Sequence, residues 1–123
     1  MTKSLFMREK IRDKERLQHI LKACDVLIEK KDMYAKEEVE QNPILYFGFV
    51  KLVEIIGEAV YRLTKDFRQQ HPEVEWDLIE DMRHVLVHGY YQIRPQQLWQ
   101  TVEKDIVALR PIIASFLDNL ETS

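Results

Sequence analysis

Four prolines divide the chain into segments whose apolar residues recur every three or four positions. Pro43, Pro72, Pro95 and Pro111 are the only prolines among 123 residues, and the chain has just three glycines. Proline suits the first turn of a helix but lacks the N–H that a helix interior requires. The prolines therefore predict where helices begin, end or bend.

Apolar stripes between the prolines predict four helices, because this spacing places each stripe on one helical face. Asn42 offers a capping side chain to the second helix, whose broad stripe makes it the expected central helix. The predicted helices cover about Ser4–Tyr34, Pro43 to Gln70, Trp76–His88 and Pro95 to Leu117. The expected core positions are Leu17, Ile20, Leu21, Cys24, Leu27 and Ile28, then Phe49, Val53, Ile56, Val60, Leu63 and Phe67, then Ile79, Met82, Val85 and Leu86, and finally Leu98, Val102, Ile106, Leu109, Ile112, Ile113, Phe116 and Leu117.

We therefore predict an all-α fold, an antiparallel four-helix bundle that forms a single domain over residues 1–123. Pro111 lies inside the last apolar stripe, so we expect a kink there. Trp76 and Trp99 are expected in the core or an interface rather than as stacking platforms for nucleic-acid bases.

Composition excludes several classes of protein. Apolar residues make up 46% and charged residues 32% of the chain, which argues against disorder. Cys24 is the only cysteine, so an intrachain disulfide is excluded and a reducing compartment fits. No segment has the pattern of a membrane span or a secretion signal, and we expect a cytoplasmic protein without membrane contact. Because the formal net charge is −3, a polyanion would require a local basic patch.

The segment DMRHVLVHGYY, residues 81–91, concentrates side chains capable of chemistry. It contains Arg83, His84, His88 and Tyr90 among apolar residues of the same predicted helix. Taken alone, an arginine and a histidine at a helix end are more often solvated or capping groups, because cations interact favourably with the helix C-terminus.

The spacing Arg83-x4-His88-x-Tyr90 resembles the motif of the HepT-like branch of the HEPN superfamily. The members of this branch are small helical proteins. The stretch Phe49–Trp76 is similar to the second helix of that family and the loop after it. DKERLQHIL near the start and LWQTVEKDIVALRPII near the end are also similar to family sequence. The resemblance covers almost the whole chain and implies a HEPN-like helical bundle.

The resemblance implies a toxin of a toxin–antitoxin pair, namely a homodimeric endoribonuclease that needs no metal or other cofactor. Arg83 and His88 would be the catalytic residues, in a cleft at the dimer interface. The partner would be a nucleotidyltransferase antitoxin that silences the toxin by transferring AMP to Tyr90. His84 stands where relatives commonly carry Asn or Asp, so we expect it in a supporting polar role with a pH-dependent charge.

Arg83 and His88 do not share a face of a regular helix, since five residues correspond to about 140° of rotation and ~7.5 Å of rise. Either Gly89 loosens the last turn, or a two-fold axis brings Arg83 of one protomer towards His88 of the other. Metal-free RNA cleavage needs a base for the 2′-hydroxyl, a cation for the phosphorane and an acid for the 5′-oxygen. Two copies of His88 and the guanidinium of Arg83 suit these roles.

Other interpretations remain open at this point. His84 and His88, four residues apart, are suited to share a metal ion, but a third ligand and the glutamate of HExxH are missing. A non-catalytic helical subunit that binds a nucleotidyltransferase is the main functional alternative, and a helical scaffold without a site is another.

The amino-terminal segment is basic, with seven basic residues against three acidic ones in residues 1–22. Arg8, Arg12 and Arg16 align at four-residue spacing, which suits contacts to an RNA backbone or, equally, a solvated face with ion pairs. Glu54 and Glu58 align on the central helix and are candidates to orient a cation such as Arg83.

Overall fold

The computed structural model describes residues 2–83 and 95–122 of the chain, and every regular element within these ranges is helical. The all-α fold class is therefore confirmed. The first part comprises α1 (Thr2–Met33), α2 (Lys36–Gln41), α3 (Pro43–Tyr61), α4 (Lys65–Gln70) and α5 (Trp76–Glu80), followed by a 3₁₀ turn (Asp81–Arg83). The second part comprises α6 (Pro95–Gln100), a π-helical segment (Thr101–Ile106) and α7 (Val107–Thr122). None of these helices is long and apolar enough to cross a bilayer.

The core lies where α1 packs against α3 and α7. The whole predicted stripe of the central helix, from Phe49 to Phe67, is buried, and so are Trp76 and Trp99. In α1 the positions Leu17, Ile20, Cys24 and Leu27 are buried, whereas Leu21 and Ile28 are partly buried. Ile112 is 38% exposed, so its predicted place in the core is wrong. Periodicity thus predicts the buried faces but not every position at their edges.

The second predicted helix is interrupted after Tyr61, and α4 begins with Thr64 as its N-cap. The Thr64 hydroxyl accepts a hydrogen bond from the backbone N–H of Phe67 at 3.1 Å. The backbone N–H and hydroxyl of Thr64 donate to the buried carboxylate of Asp13 at 2.9 and 2.7 Å. The prediction of one continuous helix is wrong because this cap depends on a side chain of α1, which an apolar stripe does not reveal.

The third predicted helix is α-helical only as far as Glu80 and then narrows into the 3₁₀ turn. The prediction of an α-helix over Asp81–Arg83 is therefore wrong. Its continuation to His88 and the predicted cap at Gly89 lie outside the described residues.

The last predicted helix begins at Pro95 as expected, and Pro111 lies within α7. The irregularity in this helix is the π-helical segment, which ends one residue before Val107. A proline ring opposes the carbonyl of the residue four positions earlier, which for Pro111 is Val107. The kink at Pro111 stays a prediction, and the change in helical register lies one turn upstream of it.

Candidate functional site

Hydrogen bonds on two sides hold the short helix α5 in place, and they thereby position the turn that ends at Arg83. On one side the guanidinium of Arg68 donates to the carboxylates of Glu80 and Asp77, each at 2.9 Å. On the other, the buried Trp76 donates its indole N–H to the carbonyl of His71 at 2.9 Å. Hydrogen bonds between charged groups are stronger than neutral ones, and the contact with Glu80 counts most because its side chain is 22% exposed whereas that of Asp77 is 95% exposed. The 3₁₀ turn therefore follows directly after a helix that these hydrogen bonds hold in place.

Gly57 allows the 3₁₀ turn to approach α3 closely. A Cβ atom at Gly57 would overlap the backbone nitrogen of Arg83. It would also lie 3.0 Å from the carbonyl carbon of Met82 and 3.1 Å from the carbonyl oxygen of Glu80. These neighbours are backbone atoms, which cannot rotate away as a side chain can. Glycine is therefore the residue that lets the backbone of Arg83 rest directly on α3.

The guanidinium of Arg83 lies over the ring of Tyr61, with its central carbon 3.7 Å from the ring centroid. Tyr61 follows Gly57 by four residues, so one face of α3 contacts both the backbone and the side chain of Arg83. The Nε atom of Arg83 is buried and has no hydrogen-bond partner within the described parts of the chain. The arginine is thus held in one plane by the stack and has a donor without a partner among the described residues, and a planar guanidinium of this kind suits an anion.

Arg83 is the one predicted member of the motif that the structure describes. His84, His88 and Tyr90 lie outside the described residues. The pairing of Arg83 with His88, the supporting role of His84 and the modification of Tyr90 therefore stay predictions. The same holds for a metal ion shared by His84 and His88.

Glu54 and Glu58 do not orient Arg83 in the described structure. Glu54 accepts a hydrogen bond from Lys51 at 2.9 Å, and Glu58 accepts one from Nε of Arg62 at 3.0 Å. The hypothesis that these carboxylates support Arg83 is wrong, because Glu54 pairs with Lys51 of α3 and Glu58 pairs with Arg62, the residue that follows α3.

Sequence reasoning missed both Gly57 and Tyr61. A glycine inside a helix costs about 1 kcal/mol relative to alanine, so it signals a close backbone approach. Gly57 carries that signal within the apolar stripe of α3. The partner that approaches it is 23 or more positions away in the chain and cannot be read from local spacing.

Cys24 is not a nucleophile for this site. Burial raises the pKa of the Cys24 thiol to about 12, with the negative charge of Asp25 adding to the rise and Arg110 opposing it. The reactive thiolate is therefore almost absent near neutral pH.

Comparison with known protein families identifies the fold that carries this arrangement. Residues 9–116 match the family described as Ribonuclease HepT-like. The chain belongs to this family. The resemblance based on the Arg83 motif is thereby confirmed at the level of the family, and the match covers all of α3 and α5 as well as the 3₁₀ turn.

Several relatives of this HepT-like protein carry ribonuclease names. One from Caldanaerobacter subterraneus subsp. tengcongensis, named as a candidate RNase, is 39% identical over 82% of this chain and 90% of its own length. One from Thermococcus cleftensis, named as a probable ribonuclease HepT, is 32% identical over 79% of this chain and 88% of its own length. A candidate RNase from Methanocaldococcus jannaschii is 32% identical over 72% of this chain and 80% of its own length. No solved structure matches the chain at a significant level.

Proposed function

We propose that this protein is a metal-independent endoribonuclease, the toxin of a toxin–antitoxin pair, with a site at the interface of a homodimer. The observation that carries the proposal is the guanidinium of Arg83, which is stacked on Tyr61 at 3.7 Å and retains an unpartnered buried Nε among the described residues. Membership of the HepT-like ribonuclease family makes the phosphate of RNA the natural anion for this donor.

The proposed reaction is an intramolecular transesterification, in which the phosphoryl group of the RNA strand is transferred from the 5′-oxygen to the neighbouring 2′-oxygen. One His88 removes the proton from the 2′-hydroxyl, whose oxygen forms a bond to phosphorus. The guanidinium of Arg83 stabilises the charge that develops on the phosphorane oxygens. The bond from phosphorus to the 5′-oxygen then breaks, and the second His88 of the dimer supplies the proton to that oxygen. The products are a 2′,3′-cyclic phosphate end and a 5′-hydroxyl end.

Cleavage is expected to continue in excess EDTA and to leave 2′-O-methyl RNA and DNA intact, since both lack a free 2′-hydroxyl. Mass spectra of the products should show 2′,3′-cyclic phosphate ends. His88→Ala, purified identically, controls for contaminating nucleases. Loss of cleavage in EDTA would favour the metal interpretation of His84 and His88. A wild type that cleaves no RNA would favour the non-catalytic subunit.

Apolar surface beside Arg83 supports the proposed dimer. Leu78 is 62% exposed and Ile112 is 38% exposed. Together with Met82, which precedes Arg83, they line an open groove of about 270 Å³ that also has an acidic rim. Exposed apolar surface of this kind marks interaction sites. A second copy on a two-fold axis would cover it with the same surface and bring a second motif close to the first.

Light scattering at micromolar concentration is expected to give about twice the subunit mass of 14.8 kDa. Leu78→Glu should shift the protein towards the monomer, because it buries a charge at the interface. Leu78 is exposed in the protomer, so the substitution should leave the unfolding temperature of the monomer unchanged. A wild type that remains monomeric while cleaving RNA would contradict the shared site.

The proposed antitoxin acts on Tyr90. The phenolic oxygen of Tyr90 attacks the α-phosphorus of ATP, pyrophosphate leaves, and the proton passes to a base of the transferase. The bound AMP adds about one negative charge and the bulk of a nucleotide near Arg83, where it repels an RNA backbone. Inhibition is thus electrostatic and steric and requires no unfolding.

Tyr90→Phe is expected to fold and to cleave RNA, and to escape silencing by the cognate nucleotidyltransferase. Intact-mass spectra after incubation with that enzyme and ATP should show an AMP adduct on the wild type and none on Tyr90→Phe. Tyr91→Phe is the matched control and should accept AMP as the wild type does. An adduct that maps to Tyr91 would refute the assignment.

A further inference from the structure

A groove between α1 and α3 is lined by basic side chains. The groove has a volume of about 290 Å³, and its lining residues are Arg16, His19, Ile55, Glu58, Ala59 and Arg62. We call it the α1/α3 groove. His19 and Arg62 are exposed, whereas Arg16 is half-buried. The groove is therefore open to solvent along one wall and deeper at Arg16.

The α1/α3 groove is adjacent to the Arg83 site. Glu58 and Arg62 follow Gly57 and Tyr61 by one position each. One position turns a side chain by about 100° around the helix axis. The two surfaces are thus separated by part of the circumference of one helix, whose diameter with side chains is about 10–12 Å.

One donor that lines the α1/α3 groove has no partner among the described residues. The Nε atom of Arg16 is buried and has no hydrogen-bond partner in the described parts of the chain. Arg62 uses its Nε for Glu58 at 3.0 Å, and its side chain is 57% exposed, so a ligand in solvent can reach it. Buried donors in folded proteins are almost always paired. Arg16 also lines the groove and is only half-buried, so a ligand in the groove would lie beside its guanidinium.

The charges and shape of the α1/α3 groove suit a phosphodiester. Two guanidinium groups face one carboxylate, that of Glu58, so the arginines exceed the acid by one charge. Arginine forks match phosphate oxygens in geometry. Ile55 and Ala59 provide an apolar wall for a ribose or base. The groove is open, as a passing strand requires.

We propose that the α1/α3 groove binds a phosphodiester of the RNA strand whose cleavage is assigned above to Arg83. RNA as the ligand rests on that proposed function. The exposed Arg8 and Arg12 extend this basic surface along α1, as their four-residue spacing predicts. Arg16 and Arg62 then hold the strand while Arg83 acts on a neighbouring phosphate.

Substitution of Glu58 tests the proposal in the opposite direction, because it should strengthen RNA binding where loss of an arginine should weaken it. Its carboxylate competes with phosphate for Arg62 and repels the backbone of a strand in the groove. Glu58→Gln removes both effects and should therefore strengthen RNA binding. A purely structural role for the Glu58–Arg62 pair predicts no gain in binding.

The experiment measures binding of a fluorescent 2′-O-methyl RNA oligonucleotide, which cannot be cleaved, by anisotropy at several salt concentrations. Arg16→Gln and Arg62→Gln should each weaken binding about tenfold. Each should reduce the salt slope by about 0.7, the value for one phosphate contact on a single strand. Glu58→Gln should tighten binding about two- to threefold.

The matched control is Arg110→Gln. Arg110 is a half-exposed arginine that pairs with Asp25 at 2.8 Å on a different surface. It changes the net charge equally and should leave affinity and salt slope unchanged. Equal losses in Arg110→Gln and in the groove variants would overturn the proposal, because they would report net charge alone. Arg62→Gln carries the test if Arg16→Gln unfolds, since Arg62 is the more exposed arginine.

Cleavage of unmodified RNA, measured in parallel, separates this proposal from the proposed function. Binding that depends on the α1/α3 groove in a protein that does not cleave RNA would support the groove and overturn the ribonuclease. Cleavage by a protein whose groove variants bind RNA normally would overturn the groove and leave the ribonuclease standing. A wild type that does not bind the probe would overturn the groove.

Discussion

Gly57→Ala is expected to destabilise the protein by about 1–3 kcal/mol, the usual cost of forcing an extra carbon into a packed site. The new Cβ would overlap the backbone of Arg83 and press on the carbonyl groups of Met82 and Glu80. The 3₁₀ turn must then move away from α3 and carry Arg83 off Tyr61. Displacement of a catalytic group by about 1 Å can reduce activity about 100-fold, and we expect a loss of RNA cleavage of that size.

Gly48→Ala is the matched control, because it places the same substitution in the same helix. Among the described residues, no atom lies within 4 Å of a Cβ at Gly48, apart from its own helix backbone and chain neighbours. Alanine there should stabilise α3 by about 0.5–1 kcal/mol through helix propensity and leave cleavage unchanged. Urea unfolding and initial cleavage rates measure both effects. If the two variants behave alike, close approach at Gly57 is not what holds Arg83.

The buried faces could be predicted because burial follows the helical period. Phe49, Val53, Ile56 and Val60 lie three or four residues apart, and all are buried. The break after Tyr61 could not be predicted in this way. It depends on Asp13, which lies 51 positions from Thr64 and accepts both of its donors. Periodicity predicts which face of a helix is apolar. It does not predict where the helix is interrupted by a hydrogen bond to a side chain of another helix.

In the candidate site, too, local features could be predicted from the sequence and tertiary contacts could not. Arg83 was identified from its motif, since the spacing of chemical groups is local. The groups that hold Arg83 in place belong to α3, and their contact with it arises only through folding. Gly57 had a local signal as an interior helix glycine, whereas the exposed Tyr61 had none. The π-helical segment likewise has no counterpart in the apolar stripe of the last helix.

Tyr61 is expected to act as a positioning residue for Arg83. Its ring stacks on the guanidinium and fixes the plane of that group, and the stack itself does not need the hydroxyl. Tyr61→Phe should therefore retain cleavage, while Tyr61→Leu should lower kcat with little change in KM. Arg83→Lys keeps the charge but loses both the planar stack and the bidentate grip on phosphate, so it should remain impaired.

His88→Ala is expected to reduce RNA cleavage on the order of 10²–10⁴-fold, the contribution typical of a general acid or base. If two copies of His88 act as base and acid in one shared site, a dimer with one wild-type subunit is inactive. Equal mixing of wild type and His88→Ala, with exchange of subunits, should then leave about a quarter of the wild-type activity, because random pairing makes about one dimer in four fully wild type. Sites that need one His88 each would leave about half of the wild-type activity.

The measurement is the initial cleavage rate at constant total protein, after exchange is verified by mass spectrometry of tagged subunits. A rate near one half would overturn the shared pair of histidines while leaving His88 in its catalytic role.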